Sequence, residues 1–345
     1  MDPRGGPAGR ERPARPPLIE LVPAPGGGWA LDPRWTVPRP PRQRWGLAAL
    51  LFVLSVFTTT TLGAVWLLWT RTDVVIDEWP LLLPSTVAAV WSDPALLGLG
   101  LSFSLPVLFI LLCHELGHWV ACRRYRLPAT PPFFLPAPVG LGTFGAFIRI
   151  RAPIHGKREL FDVGIWGPLA GFAALVPFLL AGVARSHPAA VDLAPPGAAG
   201  GSLLVPGDCL AIRLAARWIH GPLPEGAVLD LHPFALAAWF GLFATAINLL
   251  PLGQLDGGHI LYAVTGGLQR RLALPLWLAL GLAGLFVWAG WLLWSVIVLF
   301  MGLYHPPVRD ESIPLGRGRR LLALVALAIF VLSFMPVPLR ELPVR

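Results

Sequence analysis

Residues 96 to 121 form an apolar run long enough to cross a bilayer, and near its end stands His114-Glu115-Leu116-Gly117-His118. At that depth no water satisfies two imidazoles and a carboxylate, so they require one another or a shared ion. On a helix, residues four apart lie one above the other on the same face, which lets His114 and His118 hold a single metal ion. Glu115 sits one step round the helix, where it can touch a water at that ion. The H-E-x-x-H pattern is a signature of zinc hydrolases, with the histidines as ligands and the glutamate as general base.

The same apolar character extends along the chain. Of its 345 residues, 55% are hydrophobic and only 13% charged, about half the charge of a soluble domain. The mean hydropathy is +0.66. The reading is an all-α polytopic membrane protein with six to seven transmembrane helices. Spans are expected at about Gly46–Trp69, Leu96–Ala121, Leu160–Val183, Pro233–Leu250 and Leu321–Met335. The run Leu272 to Leu303 exceeds one span, with Ala289-Gly290 as the place for a turn; one long tilted helix is the alternative. Between the second and third spans, Thr143 to Arg151 alternates like a strand, which suggests a small membrane-associated β-hairpin. Residues 1–45, rich in Pro, Gly and Arg, read as a disordered tail. Residues 46–95 hold the first span and its connection, 96–260 a catalytic membrane core, and 261–345 the C-terminal spans. Leu203 to Ile219 is expected to be a surface helix on the membrane.

The formal charge of +8 comes almost entirely from arginine. These arginines gather before the first span and in residues 122–159, 269–271 and 305–320, whereas Asp73, Asp77, Glu78 and Asp93 share a connection with only Arg71. With seven spans and the N-terminus in the cytoplasm, every Arg-dense connection lies inside, so topology rather than nucleic-acid binding accounts for the basicity. This topology puts the histidines toward the cytoplasmic side of a cell membrane, and the Arg- and Pro-rich composition points to the inner membrane of a bacterium as the expected one. Cys113, Cys122 and Cys209 suggest no disulfide framework.

A catalytic zinc takes three protein ligands and leaves a fourth position open. Asp256, in a glycine-flanked break after the fourth span, is at matching depth and is the first candidate; a helix-cap role is the bland alternative. Cys122, another four residues along the histidine face, is the rival ligand. His259 is ambiguous between a supporting partner, a substrate contact and an interfacial residue, and His155 is expected to be solvated. Gly167-Pro168-Leu169-Ala170-Gly171 has the small-xxx-small spacing of closely packed helices.

Together, His114-Glu115-Leu116-Gly117-His118 in a membrane helix and Asn248-Leu249-Leu250-Pro251 leading to Leu255-Asp256-Gly257-Gly258-His259 resemble the site-2 protease family of intramembrane zinc metalloproteases. Gly142 to Arg151 and Gly167 to Gly171 resemble that family's hairpin and third core helix. The resemblance covers roughly residues 96 to 260. It implies one Zn2+ per chain on His114, His118 and Asp256, Glu115 as catalytic base, and Asn248 assisting the substrate or oxyanion. It also implies transmembrane segments of membrane proteins as substrates, in signalling proteolysis or clearance of signal-peptide remnants. There is no length for a PDZ domain between the core helices and no C-terminal CBS domain is expected, a pattern that resembles the bacterial or archaeal branch without them. A catalytically inert membrane chaperone or adaptor on the same fold is the alternative, and a transporter, which would show inverted repeats, is a third class.

Overall fold

The computed structural model describes residues 21–23, 29–31, 43–69, 81–190, 201–224 and 227–344. The chain divides into two units, 1–42 and 43–345. In the first, β1 (Leu21–Pro23) pairs antiparallel with β2 (Trp29–Leu31). The rest of the tail expected to be disordered lies outside the described residues, as do Arg71, Asp73, Asp77 and Glu78.

The second unit is mostly helical. It begins with α1 (Trp45–Trp69), α2 (Pro84–Ser92) and α3 (Pro94–Arg124). Next come β3 (Phe133–Pro136), β4 (Thr143–Phe147) and α4 (Lys157–Arg185). The strands β5 (His187–Ala190) and β6 (Gly201–Pro206) precede α5 (Leu210–His220), β7 (Ala227–Asp230) and α6 (Pro233–Asn248). The chain closes with α7 (Asp256–Thr265), α8 (Leu268–Phe286), α9 (Gly290–Met301), α10 (Arg317–Ser333) and β8 (Leu339–Val344).

Among the described residues, three helices, α1, α3 and α4, are long and apolar enough to cross a membrane. At 31 residues, α3 is about 46 Å long, more than the hydrocarbon thickness, so an end of it reaches the polar boundary. Asp93 accepts a hydrogen bond from the Ala95 N–H at its start, and Arg123 and Arg124 complement the carbonyl-rich end. The other expected spans are shorter helices, and α6, with 16 residues, is only about 24 Å long. The run Leu272 to Leu303 is two helices, α8 and α9, which turn at Val287 to Ala289. A Cβ on Gly290 would lie 2.1 Å from the far edge of the Trp288 ring, so glycine lets that ring pack against the turn. The surface helix expected over Leu203 to Ile219 is α5 alone, because Pro206 and Gly207 end β6 ahead of it.

Buried polar residues in α1 lock the hairpin of β3 and β4 to the bundle. Thr58 donates to the Gly142 carbonyl at 2.6 Å, and the Trp66 indole donates to the Gly140 carbonyl at 3.1 Å. Thr60 and Ser104 share a 2.7 Å hydrogen bond between α1 and α3. The two strands pair antiparallel, Phe133 opposite Phe147, with an irregularity between Phe134 and Pro136.

At the arginine-rich end, Arg319 of α10 grips the buried Asp162 of α4 through two 2.7 Å bonds, and Tyr125 of the α3 cap donates to the same carboxylate. Lys157 reaches Glu311 at 3.1 Å, and Tyr262 donates to Glu311 as well. The Tyr262 hydroxyl, and after it Lys157, hold the Glu311 carboxyl below its ordinary pKa. The segment after α9 is thus tied across the ends of α4 and α7. Arg319→Met should strand the Asp162 carboxylate in a largely apolar setting at a cost of about 2 kcal/mol, and Asp162→Asn in the same chain should restore most of it. Thermal unfolding of the two variants in detergent checks this.

Candidate metal centre

The site is assembled by four helices. His114 and His118 come from α3 and are buried. Their Nε2 atoms are 3.0 Å apart. Asp256, the first residue of α7, places Oδ2 3.2 Å from His114 Nε2 and 3.3 Å from His118 Nε2. Asn248, the last residue of α6, sets its amide 3.3 Å from His114 Nε2. The sequence-predicted residues on α3, α6 and α7 therefore meet at one point.

These three atoms fit zinc. A tetrahedral zinc holds N and O ligands at about 2.0–2.1 Å, which separates the ligand atoms by about 3.3 Å. A proton shared between one imidazole and Asp256 would satisfy one edge of this triangle and leave the two Nε2 atoms facing each other. A divalent cation satisfies all three edges. His118 is also oriented for it: its Nδ1 lies 2.7 Å from the Val163 carbonyl of α4, which fixes the proton on Nδ1 and leaves the Nε2 lone pair toward Asp256.

The approach of α4 makes room for the rings. A Cβ on Gly167 would lie 2.1 Å from His118 Nε2, and one on Gly171 would lie 3.1 Å from His114 Cβ. From the other side, a Cβ on Gly117 would lie 2.2 Å from the Trp166 carbonyl oxygen. The glycines of the small-xxx-small pattern thus serve the site itself as well as helix packing.

The break before α7 delivers Asp256. The α6 helix stops at Asn248, Pro251 follows, and α7 starts again at Asp256, whose charge suits a helix N-terminus. Cβ atoms on Gly257 and Gly258 would lie 2.1 Å from the Leu249 oxygen and 2.4 Å from the Gly253 oxygen, so the first turn of α7 nestles against the break.

Glu115 is buried, with its carboxylate near His114, His118 and Asp256 and facing the Ile148 N–H just beyond β4. Cys122 is absent from the cluster; it is fully buried among Ala121, Leu127, Ala129 and Val163 as an apolar filler. His155 is exposed. His259 has a partner the sequence did not disclose: its Nδ1 lies 2.7 Å from Nε2 of His305, whose own Nδ1 lies 2.6 Å from the Pro306 carbonyl. Burial lowers the pKa of His305. Neutral, it donates from Nδ1 to Pro306 and accepts from His259, while its ring stacks on Tyr262. His305 is 46 residues from His259, and no local motif marks it.

The Gly167→Ala variant should lose most of its zinc, because the His118 ring is held by Val163 and cannot retreat from the new methyl group. The control Gly281→Ala, where an added Cβ meets nothing within 4 Å, should keep it. Zinc content of the purified proteins by atomic emission decides between them.

Residues 102–288 match the model of Peptidase family M50. The chain is 32% identical over 311 residues to "Probable zinc metalloprotease EGY1, chloroplastic" of Oryza sativa subsp. japonica, covering 84% of this chain and 50% of that protein. It is 28% identical over 309 residues to the Arabidopsis thaliana protein of the same name, covering 84% and 53%. With "Probable zinc metalloprotease EGY2, chloroplastic" of Arabidopsis thaliana it shares 31% identity over 244 residues, 67% of this chain and 41% of that one. The chain spans about half the length of the relatives it matches.

Proposed function

This chain belongs to Peptidase family M50, and from that premise we propose that it is a membrane-embedded zinc endopeptidase that cuts transmembrane segments of other membrane proteins. The observation that carries the reading is the convergence of His114, His118 and Asp256 on one point beside the buried Glu115. His114, His118 and Asp256 are the ligands, one zinc per chain. Zinc held there would supply a Lewis acid that brings the pKa of a water to about 7 and polarises a carbonyl.

The chain's own groups do the rest. Glu115 takes a proton from the attacking water and returns it to the leaving amine nitrogen. Its burial in an apolar helix face keeps bulk water from competing. The Asn248 amide, 3.3 Å from His114 Nε2, stands at the edge of the metal centre, where it can donate to the carbonyl oxygen as negative charge develops on it.

A helical substrate protects its peptide bonds and must be extended before it is cut. The sheet of β3 and β4 has two strands, so β4 has an edge away from β3. A substrate strand added there would regain the main-chain hydrogen bonds lost on unwinding. The Ile148 N–H, facing Glu115, continues that edge into the site.

The membrane orientation is part of the proposal. Read as seven passes, α1, α3, α4, α6, α8, α9 and α10 alternate in direction. This groups the Arg-rich connections at one end, where Arg319 meets Asp162 and Lys157 meets Glu311. The opposite end carries the pairs β5 with β7 and β6 with β8. The arginine-rich end faces the cytoplasm, with the N-terminus there, in a bacterial inner membrane. The EGY1 and EGY2 relatives are named as chloroplastic proteins.

Reconstituted in proteoliposomes with single-pass membrane substrates, the wild type should cleave, and Glu115→Gln should lower the rate by 10²–10⁴-fold with zinc retained. Absence of cleavage by the wild type, or an undiminished rate in Glu115→Gln, overturns the proposal; the first result favours an inert adaptor. Separately, Ile148→Pro should reduce cleavage and leave zinc content intact, and unchanged cleavage would contradict strand addition.

A further inference from the structure

One cavity lies toward the end of α6 that is away from the metal centre. Of about 670 Å³, it opens beside α5 and the N-terminal half of α6, whose other end carries Asn248. Apolar side chains, among them Leu229, Leu231 and Trp239, line much of it, and Arg213, Arg217 and Arg340 contribute three positive charges. Asp208 contributes one negative charge. No ion pair forms on any of the three arginines among the described residues.

The helix that borders the cavity is amphipathic in an unusual way. Its inner face, Ala211, Ile212, Ala215 and Ala216, is buried against the bundle. Its outer face is split lengthwise. Leu210, Leu214 and Trp218 form one exposed row at four-residue spacing, and Trp218 is 77% exposed. Arg213 and Arg217 form the adjacent row. The helix is fixed in place, since the Trp239 indole donates to the Gly207 carbonyl at its start and His220 meets the Val183 carbonyl at its end. An apolar row beside a basic row is the pattern of a helix lying in a membrane interface, where aromatic and aliphatic groups enter the acyl region and guanidinium groups meet phosphates.

We propose that the cavity beside α5 binds the headgroup of an anionic phospholipid in the leaflet away from the metal centre. Arg213, Arg217 and Arg340 engage the phosphate, and Leu214 and Trp218 pack on the acyl chains. The net charge of the cavity selects an anionic lipid over a zwitterionic one, and its apolar walls, together with the exposed Leu and Trp row, favour a lipid over a soluble acidic peptide. The inference rests on the chain lying in a membrane but not on proteolysis.

The test titrates the full-length protein in neutral detergent with dihexanoyl phosphatidylglycerol, dihexanoyl phosphatidylcholine, inorganic phosphate and an acidic peptide, and reads bound ligand by native mass spectrometry. Wild type should prefer phosphatidylglycerol to phosphatidylcholine by about tenfold. Arg213→Gln/Arg217→Gln should abolish that preference, Arg213→Lys/Arg217→Lys should keep most of it, and Arg309→Gln at the opposite end should keep all of it. Leu214→Ser/Trp218→Ser should weaken lipid binding several-fold. Zinc content and unfolding temperature confirm that each variant is folded, and Arg340→Gln replaces the double variant if that one is not. Equal binding of both lipids by wild type, an undiminished preference in the arginine variants, or displacement by phosphate or peptide at equal concentration overturns the proposal. Because binding is read without cleavage, its failure is separable from that of the protease reading.

Discussion

Polar groups buried in an apolar helical bundle have no solvent to fall back on, and the arrangement of this protein follows from meeting that demand. Two imidazoles and two carboxylates gather between α3, α4, α6 and α7. Their Nε2 and Oδ2 atoms lie 3.0–3.3 Å apart, the spacing of ligand atoms around one tetrahedral zinc. Backbone geometry then adapts to them. The α4 helix presents glycines where the histidine rings stand, and α6 breaks so that α7 can begin on Asp256. A methyl group at Gly167 would occupy the space of the ring nitrogen itself.

The same demand explains features away from the metal. The four consecutive threonines of α1 would be a poor choice for a helix exposed to lipid. Here they are buried, and their hydroxyls bond the preceding turn, Ser104 and the Gly142 carbonyl. That last bond fixes the turn between β3 and β4, and so the strand edge beside Glu115. At the arginine-rich end the buried Asp162 is answered by Arg319 and Tyr125. Its neighbour Val163 supplies the carbonyl that holds His118. The tether of α10 and the carbonyl that orients His118 are therefore one residue apart on α4.

Much of this is legible in the residues. Helical spacing aligns His114 with His118, and the Pro and Gly break marks Asp256 and Asn248. The arginine distribution indicates which loops lie together. Other parts are hidden, for physical reasons. The pairing of His259 with His305 and of Asp162 with Arg319 joins residues distant in sequence, and neither has a periodic signature. Where α6 and α9 stop is hidden too: hydropathy marks both as apolar, yet their lengths are set by breaks whose positions depend on tertiary contacts. Cys122 has the right spacing for a ligand, but packing against Leu127 and Val163 turns it away from that role. The strand β6 was concealed because Leu203 to Val205 suits a helix or a strand equally, and only its pairing with β8 decides.

The central claim is that one zinc ion joins α3 to α7 through His114, His118 and Asp256. X-ray absorption at the zinc edge of the purified full-length protein tests it most directly, with Asp256→Ala alongside. The account predicts a first shell of nitrogen and oxygen only, with two imidazoles resolved by their outer-ring scattering and zinc largely lost from the variant. A sulfur scatterer at about 2.3 Å, which would bring Cys122 into the site, or full zinc occupancy in Asp256→Ala, would contradict it.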